Sequence, residues 1–326
     1  MKPLAFAILR QLSSQSFRSG ESIAENLGIS RASVWQALKD IDEHGIKLFR
    51  LPGQGYRLSE PVQWLDADGI KAALGDKAAL IDLEIVAVTE STNTTLMQKT
   101  ALGATHGSCL TAELQTHGRG RRGRVWRSTL GGSLSFSLLW RFNQGAGFLS
   151  GLSLVVGIAL LRAFKQLAIP GLSLKWPNDI LHDQRKLAGI LIELQGDMHG
   201  PSAAVIGIGV NYKLPDRAYS EIDQPVIDLA AISPDLPDRN LLLATLLNHL
   251  AEVLHQFEDS GFSGFQEEWI RHHRYHGQTV TLLMPDGRKE PGIVTGVAPD
   301  GSLLVEHDGK ERRFNSGEIS LRGHAC

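Results

Sequence analysis

Three stretches of the chain follow different residue patterns, so a single domain does not account for them. Residues 1–58 repeat apolar side chains at helical spacing, as at Leu4, Ile8 and Leu12. Residues 65–270 mix strand and helix patterns, and from Gly277 onward short β runs alternate with turns. With 326 residues the chain can form two or three domains, the largest with a full core. We predict domains at 1–60, 65–272 and 273–326.

The first stretch has the spacing of a helix-turn-helix. Ala24, Gly28 and Val34 fall where the motif needs a small residue, a permissive turn residue and an apolar anchor. Ser30 is a good N-cap for the second helix. Residues 47–58 predict two strands joined by a turn at 52–55. These features together predict a winged helix-turn-helix.

The polar side of this unit is typical of DNA binding. If the apolar residues of the second helix face the core, its polar residues face outward, where a recognition helix meets bases and phosphates. We therefore predict DNA contacts for Ser30, Arg31, Ser33, Gln36, Lys39, Arg50 and Arg57. A protein-interaction module is the alternative, because three short helices are common. The spacing, the cap and the basic hairpin together favour DNA.

The rest of the chain predicts a mixed sheet followed by a small barrel. Strand patterns occupy residues 85–88, 134–139, 174–176, 187–194 and 205–211, and helical patterns occupy 149–167 and 239–259. Alternation along the strands is partial, which favours a mixed sheet. Pro285, Pro299 and His307 each precede Asp-Gly, a turn signal between paired strands. Their spacing predicts a small β-barrel.

Composition excludes several classes of protein. Hydrophobic residues make up 42% and charged residues 21% of the chain, which is typical of globular proteins and not of disordered or collagen-like ones. Cys109 and Cys326 are too far apart in sequence to indicate a disulfide framework, and they suit a reducing compartment. We see no signal-peptide cleavage site and no apolar run near 18 residues. We therefore expect a cytoplasmic protein without membrane contact.

Five arginines lie within nine residues, at positions 119 to 127, interleaved with glycines. The segment Gly118-Arg-Gly-Arg-Arg-Gly123 matches G-x-G-x-x-G, but a dinucleotide-binding loop opens a helix and precedes an acidic residue by about 20 positions. No acidic residue lies from Val125 to Leu160. With Val125 the segment also fits the kinase loop pattern G-x-G-x-x-G-x-V, but the kinase motifs V-A-I-K, H-R-D and D-F-G are absent. We predict that residues 118–127, the arginine loop, are flexible, close over phosphate or carboxylate, and are disordered when empty. A solvated basic loop or a nucleic-acid tether is the alternative for the loop alone.

Further motifs surround this loop in a fixed order. They are Glu90-Ser-Thr-Asn-Thr94, Gln115, Lys175-Trp-Pro-Asn-Asp179, Lys186-Leu-Ala-Gly-Ile190 and Gly207-Ile-Gly-Val-Asn211. The set closely resembles the biotin protein ligases over nearly the whole chain, and the helix-turn-helix extends the resemblance to the bifunctional form that is also the biotin operon repressor. This implies an α+β fold: a winged helix-turn-helix, a central mixed-sheet ligase domain like those of class II synthetases, and a C-terminal SH3-like β-barrel.

The resemblance implies a biotin subsite. The ureido group of the ring offers one acceptor and two donors, and the residues implied to hold it are Ser91, Thr92, Asn93 and Gln115. The loop residues Arg119, Gly120 and Arg121 would close over the biotin carboxylate and the α-phosphate, with Trp126 packed above. Gly207 and Gly209 would leave room behind the ligand.

It also implies a nucleotide subsite. Lys186 would contact the carboxylate and the α-phosphate, and Arg121, Arg122 and Arg124 the triphosphate of ATP. Asn178 and Asp179 would orient Mg²⁺ or phosphate, with Asp179 as the metal ligand. Asn211 would begin the segment that covers adenine.

The implied activity has two steps, with Lys186, Arg119, Arg121 and Asp179 as catalytic residues. The biotin carboxylate attacks ATP to give biotinoyl-5′-AMP, and a lysine of the biotin carboxyl carrier protein of acetyl-CoA carboxylase then attacks the adenylate. Asp179 is our candidate acceptor for that lysine's proton. The adenylate would also act as corepressor, favouring a homodimer that binds operator DNA.

Three alternatives remain open. A biotin-sensing repressor without efficient ligase activity would lose Lys186 or the arginines, which are present here. A lipoate or octanoate transferase shares the fold but not the combination of Ser-Thr-Asn with the arginine loop. The histidines in Arg271-His-His-Arg-Tyr-His276 suggest a zinc enzyme, but without H-E-x-x-H or C-x-x-C a helix-end cluster is favoured.

Overall fold

The computed structural model describes residues 3–39, 41–196, 200–284, 286–315 and 320–323. Pro285, Cys326 and the outer limits of the first and last predicted domains lie outside these residues. The described chain forms a helical N-terminal unit with a two-stranded wing, a seven-stranded sheet with helices, and a five-stranded antiparallel sheet. The predicted fold class is confirmed at this level. No helix among the described residues is both long and apolar enough to cross a membrane.

The N-terminal unit owes its turn to two caps and one glycine. Its elements are α1 (Pro3–Leu9), α2 (Gly20–Leu27), α3 (Arg31–Leu38), β1 (Leu48–Leu51) and β2 (Gly55–Leu58). Gly28 ends α2 in the left-handed region at φ 61°, and Ser30 then accepts the Ser33 N–H to cap α3. Ala24 and Val34 are buried between the helices. The predicted roles of these residues in the helix-turn-helix are confirmed.

The central sheet contains both parallel and antiparallel pairs, as predicted. Its strand order is β3-β4-β5-β9-β8-β7-β6, and only β3 and β4 run parallel. The strands are β3 (Asp82–Thr89), β4 (Ser108–Gln115), β5 (Ser133–Phe142), β6 (Leu172–Lys175), β7 (Asp179–His182), β8 (Arg185–Gly196) and β9 (Ser202–Asn211). The prediction missed β4 and β7, and it extended β6 to Trp176, which begins a turn instead.

Helices cover this sheet. They are α4 (Ala67–Leu74), α5 (Thr92–Ala101), α6 (Leu152–Gln166), α7 (Asp216–Glu221), α8 (Leu229–Ile232), α9 (Arg239–Ser260) and α10 (Gln266–His272). The two helices predicted from sequence are α6 and α9, and they pack against each other with most of their apolar residues buried. Their burial accounts for the strength of the sequence pattern, because a helix with a wide buried face is apolar around most of its circumference.

The C-terminal sheet follows the predicted turns. Its strands are β10 (Thr279–Leu283), β11 (Lys289–Val297), β12 (Leu303–His307), β13 (Lys310–Phe314) and β14 (Ser320–Gly323), in the order β13-β12-β11-β10-β14. Asp308 and Gly309 join β12 to β13 with φ values of 50° and 70°, as a two-residue hairpin of the primed type requires. Gly301, in the preceding turn, packs against Gly151 at the start of α6.

A buried ion pair ties the N-terminal unit to the central sheet. Glu113 on β4 and Arg239 at the start of α9 are both fully buried, and Arg239 Nη1 lies 2.9 Å from Glu113 Oε2. The other carboxylate oxygen accepts the Leu65 N–H at 2.8 Å and lies 3.4 Å from Arg10 Nη2, just after α1. One carboxylate therefore joins four separate segments of the chain.

We predict that Glu113→Ala lowers the free energy of unfolding by about 3–5 kcal/mol, because it leaves a buried guanidinium without its carboxylate. Urea unfolding of the full chain measures the change. The control is Glu221→Ala, which removes an exposed pair with Arg217 and should cost no more than about 0.5 kcal/mol. Equal losses in the two variants would contradict the role given to Glu113.

Candidate active site

An open cleft of about 1060 Å³ lies over the central sheet. It brings together every residue predicted for the ligand site except Asn211: Ser91, Thr92, Asn93, Gln115, Arg119, Gly120, Arg121, Arg122, Arg124, Trp126, Asn178, Asp179, Lys186, Gly207 and Gly209. These residues come from α5, the ends of β4 and β7, the arginine loop, β8 and β9. Segments far apart in sequence thus converge on one site.

One end of the cleft is a buried polar network. Ser91 caps α5, which orients the following residues towards the sheet. The Thr92 N–H donates to Gln115 Oε1 at 2.7 Å, and Ser137 Oγ donates to Asn93 Oδ1 at 2.6 Å. Ser137, on β5, was not predicted as a site residue, although serines alternate with apolar residues along that strand. This ring network, formed by Thr92, Asn93, Gln115 and Ser137, presents fixed donors and acceptors to a polar ring.

Two glycines of β9 make room for side chains of the site. A Cβ on Gly207 would lie 2.1 Å from Asn93 Oδ1, and a Cβ on Gly209 would lie 2.3 Å from Trp126 Cε2. Such distances are too short for non-bonded atoms, so an alanine at either position would displace the Asn93 or the Trp126 side chain. The space therefore serves the residues that line the cleft, which extends the predicted role of making room behind a ligand.

The arginine loop has a defined shape. Gly120 N–H donates to the Arg124 carbonyl and Trp126 N–H to the Gly118 carbonyl, both at 2.8 Å. Only a short 3₁₀ turn, Arg121–Gly123, lies within it, and β5 follows. The absence of an α-helix after the loop agrees with rejecting the dinucleotide-binding motif. Disorder of the loop without ligand stays a prediction.

Cationic groups meet at the other end of the cleft. Burial and the neighbouring Arg122 lower the pKa of the Arg121 guanidinium, while Asp179 opposes the shift. Lys186 Nζ lies 2.6 Å from Asp179 Oδ1 and 5.7 Å from the centre of the Trp126 ring. Because these cations are partly desolvated and close together, an anion entering the cleft relieves their repulsion.

Asn211 has a different position from the other predicted residues. It is buried, and its amide donates to the Lys186 carbonyl at 3.1 Å and the Ile227 carbonyl at 3.0 Å. It thus fixes the start of β8 to the segment that follows β9. A contact between Asn211 and a nucleotide stays a prediction.

The histidine cluster does not form a metal site. Burial lowers the pKa of His273 to about 3, and its ring packs beside Trp269. Within the described ranges no three His, Cys, Asp or Glu side chains are grouped to hold a metal. The zinc-enzyme alternative therefore has no support in this part of the chain.

The predicted DNA-contact residues divide into two groups. Ser30, Arg31, Gln36 and Lys39 are exposed, while Ser33 is partly buried and shares the cap hydrogen bonds of Ser30. The wing arginines have partners within the protein. Arg50 donates to Asp42 and to the Leu38 carbonyl, and Arg57 donates to the Ser14 carbonyl and lies over Phe49. Their contact with DNA stays a prediction, as does that of the first group.

Family comparisons agree with this architecture. Residues 85–211 match the biotin/lipoate A/B protein ligase family, residues 5–57 match an HTH domain, and residues 275–322 match the biotin protein ligase C terminal domain. The three matches follow the order in which the helical unit, the central sheet and the C-terminal sheet occur.

Individual relatives cover most of the chain. It is 37% identical to the bifunctional ligase/repressor BirA of Salmonella typhimurium, over 97% of this chain and 96% of that relative. It is 32% identical to the biotin–[acetyl-CoA-carboxylase] ligase of Mycobacterium tuberculosis, over 73% of this chain and 88% of the relative. The biotin protein ligase of Aquifex aeolicus in complex with biotin and ATP matches with a TM-score of 0.64 at 31% identity, covering 74% of this chain and 99% of that one.

A cationic ligand cleft on a mixed sheet, preceded by a helix-turn-helix, defines a ligase domain joined to a DNA-binding domain. The chain belongs to the biotin protein ligases, with the domain order of the bifunctional ligase/repressors.

We predict that Gly209→Ala weakens biotin binding roughly 10-fold, because the new methyl group displaces the Trp126 ring at a cost of about 1–3 kcal/mol. Titration calorimetry with biotin measures the affinity. Gly147→Ala is the control, since a Cβ there meets nothing within 4 Å. Unchanged affinity in a folded Gly209→Ala protein would contradict the packing described for Gly209.

Proposed function

We propose that this chain joins biotin to ATP, releases pyrophosphate, and transfers the biotinoyl group from biotinoyl-5′-AMP to a lysine of the biotin carboxyl carrier protein of acetyl-CoA carboxylase. The observation that carries the proposal is the division of one cleft into a buried polar end and a cationic end. The membership of the chain in the biotin protein ligases supports it.

The first step joins two anions, so its main barrier is electrostatic. The biotin carboxylate is ionised at neutral pH and needs no general base to attack the α-phosphorus. Lys186, Arg119 and Arg121 line the cleft, and we propose that the two groups meet among them. They offset the repulsion and the negative charge that develops on the phosphate oxygens. The ring network at the other end aligns the carboxylate for attack.

In this proposal the triphosphate extends towards the guanidinium groups of Arg122 and Arg124, which also line the cleft. Asp179 Oδ1 is buried, and no described group donates a well-directed hydrogen bond to it, although Lys186 is close. Asn178 adds an amide oxygen, and an oxygen set of this kind fits Mg²⁺ carried on the triphosphate. The ion would supply further neutralisation of phosphate charge.

The second step needs an uncharged amine. A lysine with a reference pKa near 10.4 is mostly protonated at neutral pH, and we propose Asp179 as the group that accepts its proton. The 2.6 Å contact with Lys186 keeps this carboxylate beside the reacting centre. The amine then attacks the acyl carbon and forms the amide bond, the bond between the acyl carbon and the phosphate oxygen breaks, and AMP leaves with the electron pair of that bond.

We predict that Lys186→Gln lowers the rate of adenylate formation roughly 100- to 1000-fold, because it removes a cation from the developing charge. Incubation with ATP, Mg²⁺ and labelled biotin, with release of pyrophosphate as the readout, tests both the variant and the proposal. Lys213→Gln, which removes an exposed lysine paired with Glu60, is the control. A wild-type protein that binds biotin but releases no pyrophosphate would leave the biotin-sensing repressor as the function.

A lipoate or octanoate substrate is the other outcome of the same assay. Biotin presents a ureido group that can add hydrogen bonds to the polar network around Thr92 and Asn93, whereas a plain acyl chain offers that network no donor or acceptor and would only exclude water from it. Adenylation of octanoate in preference to biotin would therefore contradict the substrate proposed here.

We also propose a repressor function in which the adenylate acts as corepressor. Beyond its pairing with β7, β8 has no described strand along the outer edge of residues 191–196, and an open edge accepts another strand. Ordering of the arginine loop by the adenylate would favour a homodimer through this region. The dimer would place two helix-turn-helix units on a palindromic operator.

We also propose that the protein acts in the cytoplasm, because its proposed substrates and its low cysteine content suit that compartment.

We predict that Arg31→Ala weakens operator binding and reduces the slope of log affinity against log salt concentration by about one, as expected for one lost phosphate contact. Fluorescence anisotropy with operator DNA at several salt concentrations measures the slope. Arg288→Ala, in the connection between β10 and β11, is the control. Adenylate formation should be unchanged in both variants, and an unchanged slope for Arg31→Ala would contradict its predicted contact.

A further inference from the structure

Glu193 connects the two ends of the ligand cleft. It lies on β8, three residues beyond the Lys186-Leu-Ala-Gly-Ile190 motif, and its carboxylate is about three-quarters buried. One oxygen, Oε2, accepts from Asn93 Nδ2 at 3.0 Å and from Arg119 Nη1 at 3.1 Å. The other, Oε1, lies 2.9 Å from Arg119 Nη2. No motif in the sequence singled this residue out.

The contact with Asn93 fixes the direction of its amide. Both amide protons are used, one by Glu193 and one by the Leu191 carbonyl at 3.1 Å. Asn93 Oδ1 therefore faces Ser137, which donates to it at 2.6 Å. The opposite amide orientation would place an oxygen against two acceptors, which is unfavourable in a buried site. The ring network thus has one stable arrangement.

The contact with Arg119 fixes the start of the arginine loop. Two parallel contacts between a guanidinium and a carboxylate hold the plane of the guanidinium as well as its position. The Nη1 group also donates to Thr94 Oγ1 at 3.3 Å, in the first turn of α5. A guanidinium has five N–H donors, so further donors remain for an anion while these contacts persist.

We infer that Glu193 is a positioning residue that couples the ring subsite to the arginine loop. It holds Asn93 in the orientation that the ring network needs, and it anchors Arg119 beside the place of the biotin carboxylate. Recognition of the ring and closure of the loop are therefore linked through one carboxylate. This inference rests on the proposed function, because it assigns Glu193 to the biotin half of the ligand.

Two substitutions separate positioning from charge. Glu193→Ala removes the acceptors for both partners, whereas Glu193→Gln keeps an acceptor oxygen and removes the negative charge. We expect Glu193→Ala to raise the KM for biotin roughly 10-fold or more, as for the loss of charge-assisted hydrogen bonds, with the KM for ATP changed less than about 2-fold. Glu193→Gln should lie between Glu193→Ala and the wild type.

Trypsin gives a readout that a purely structural role would not move. We expect the loop of Glu193→Ala to be cleaved after its arginines several times faster than that of the wild type, at equal Tm. The matched control is Glu84→Ala. Glu84 lies on β3 of the same sheet, and its exposed carboxylate pairs with Lys99. It should leave the KM for biotin, the KM for ATP and the loop cleavage rate unchanged.

Several results would overturn the inference. Tighter biotin binding in both Glu193 variants would mean that the carboxylate only repels the ligand. Equal rises in the KM values for biotin and ATP would mean a general loss of structure, as would a large drop in Tm. Calorimetry with biotin and the trypsin assay need no catalysis, so they test Glu193 separately. A wild type that binds biotin without forming adenylate would contradict the proposed ligase activity and leave this inference standing.

Discussion

The mutual repulsion of cations within one cleft is the constraint on which the functional site depends. Lys186 and the loop arginines stay close together because carboxylates on β7 and β8, Asp179 and Glu193, lie among them. The register of β7, β8 and β9 sets these positions, since Asp179 pairs with Gly189 and Gly189 with Gly209. A change of register by one residue would turn each of these side chains to the other face of the sheet.

The N-terminal unit is packed into the ligase domain and not merely attached to it. Its apolar core includes Leu114 and Leu130 of the central domain. Glu113, which contacts Arg10 and Arg239, lies on the strand that ends at Gln115 in the ring network. The strand that carries Gln115, a predicted biotin contact, thus also contacts the helix-turn-helix unit, which gives a short physical route between the ligand cleft and that unit.

Local patterns in the sequence predicted the elements whose residues act within their own segment. The Ala24, Gly28 and Val34 spacing, the caps and the Asp-Gly turns of the C-terminal sheet are examples, because each depends on neighbouring backbone geometry. The biotin and nucleotide site residues came from resemblance, and all of those predicted residues except Asn211 line the cleft. Their individual roles stay predictions.

Contacts between distant segments could not be predicted in this way. Residues 110–115 of β4 alternate between apolar and polar side chains, a strand pattern that the prediction missed. Such alternation indicates a strand with one exposed face, whereas β4 is buried along its whole length, including Thr111, Glu113 and Gln115. The partners of its charged residue, Glu113, are all far away in sequence: the Leu65 N–H and the side chains of Arg10 and Arg239. The wing arginines illustrate the converse case, since a basic hairpin indicates a surface charge but does not show that Arg57 reaches back to Ser14.

The most direct test of the account is a crystal structure of the full chain with biotinoyl-5′-AMP bound. We predict the ring among Thr92, Asn93 and Gln115, and Arg121 and Lys186 donating to oxygens of the acyl phosphate within about 3.2 Å. The arginine loop should lie over the ligand, with Arg119 still in contact with Glu193. A loop turned towards solvent, with these cations beyond hydrogen-bond distance of the adenylate, would contradict the electrostatic account of the site.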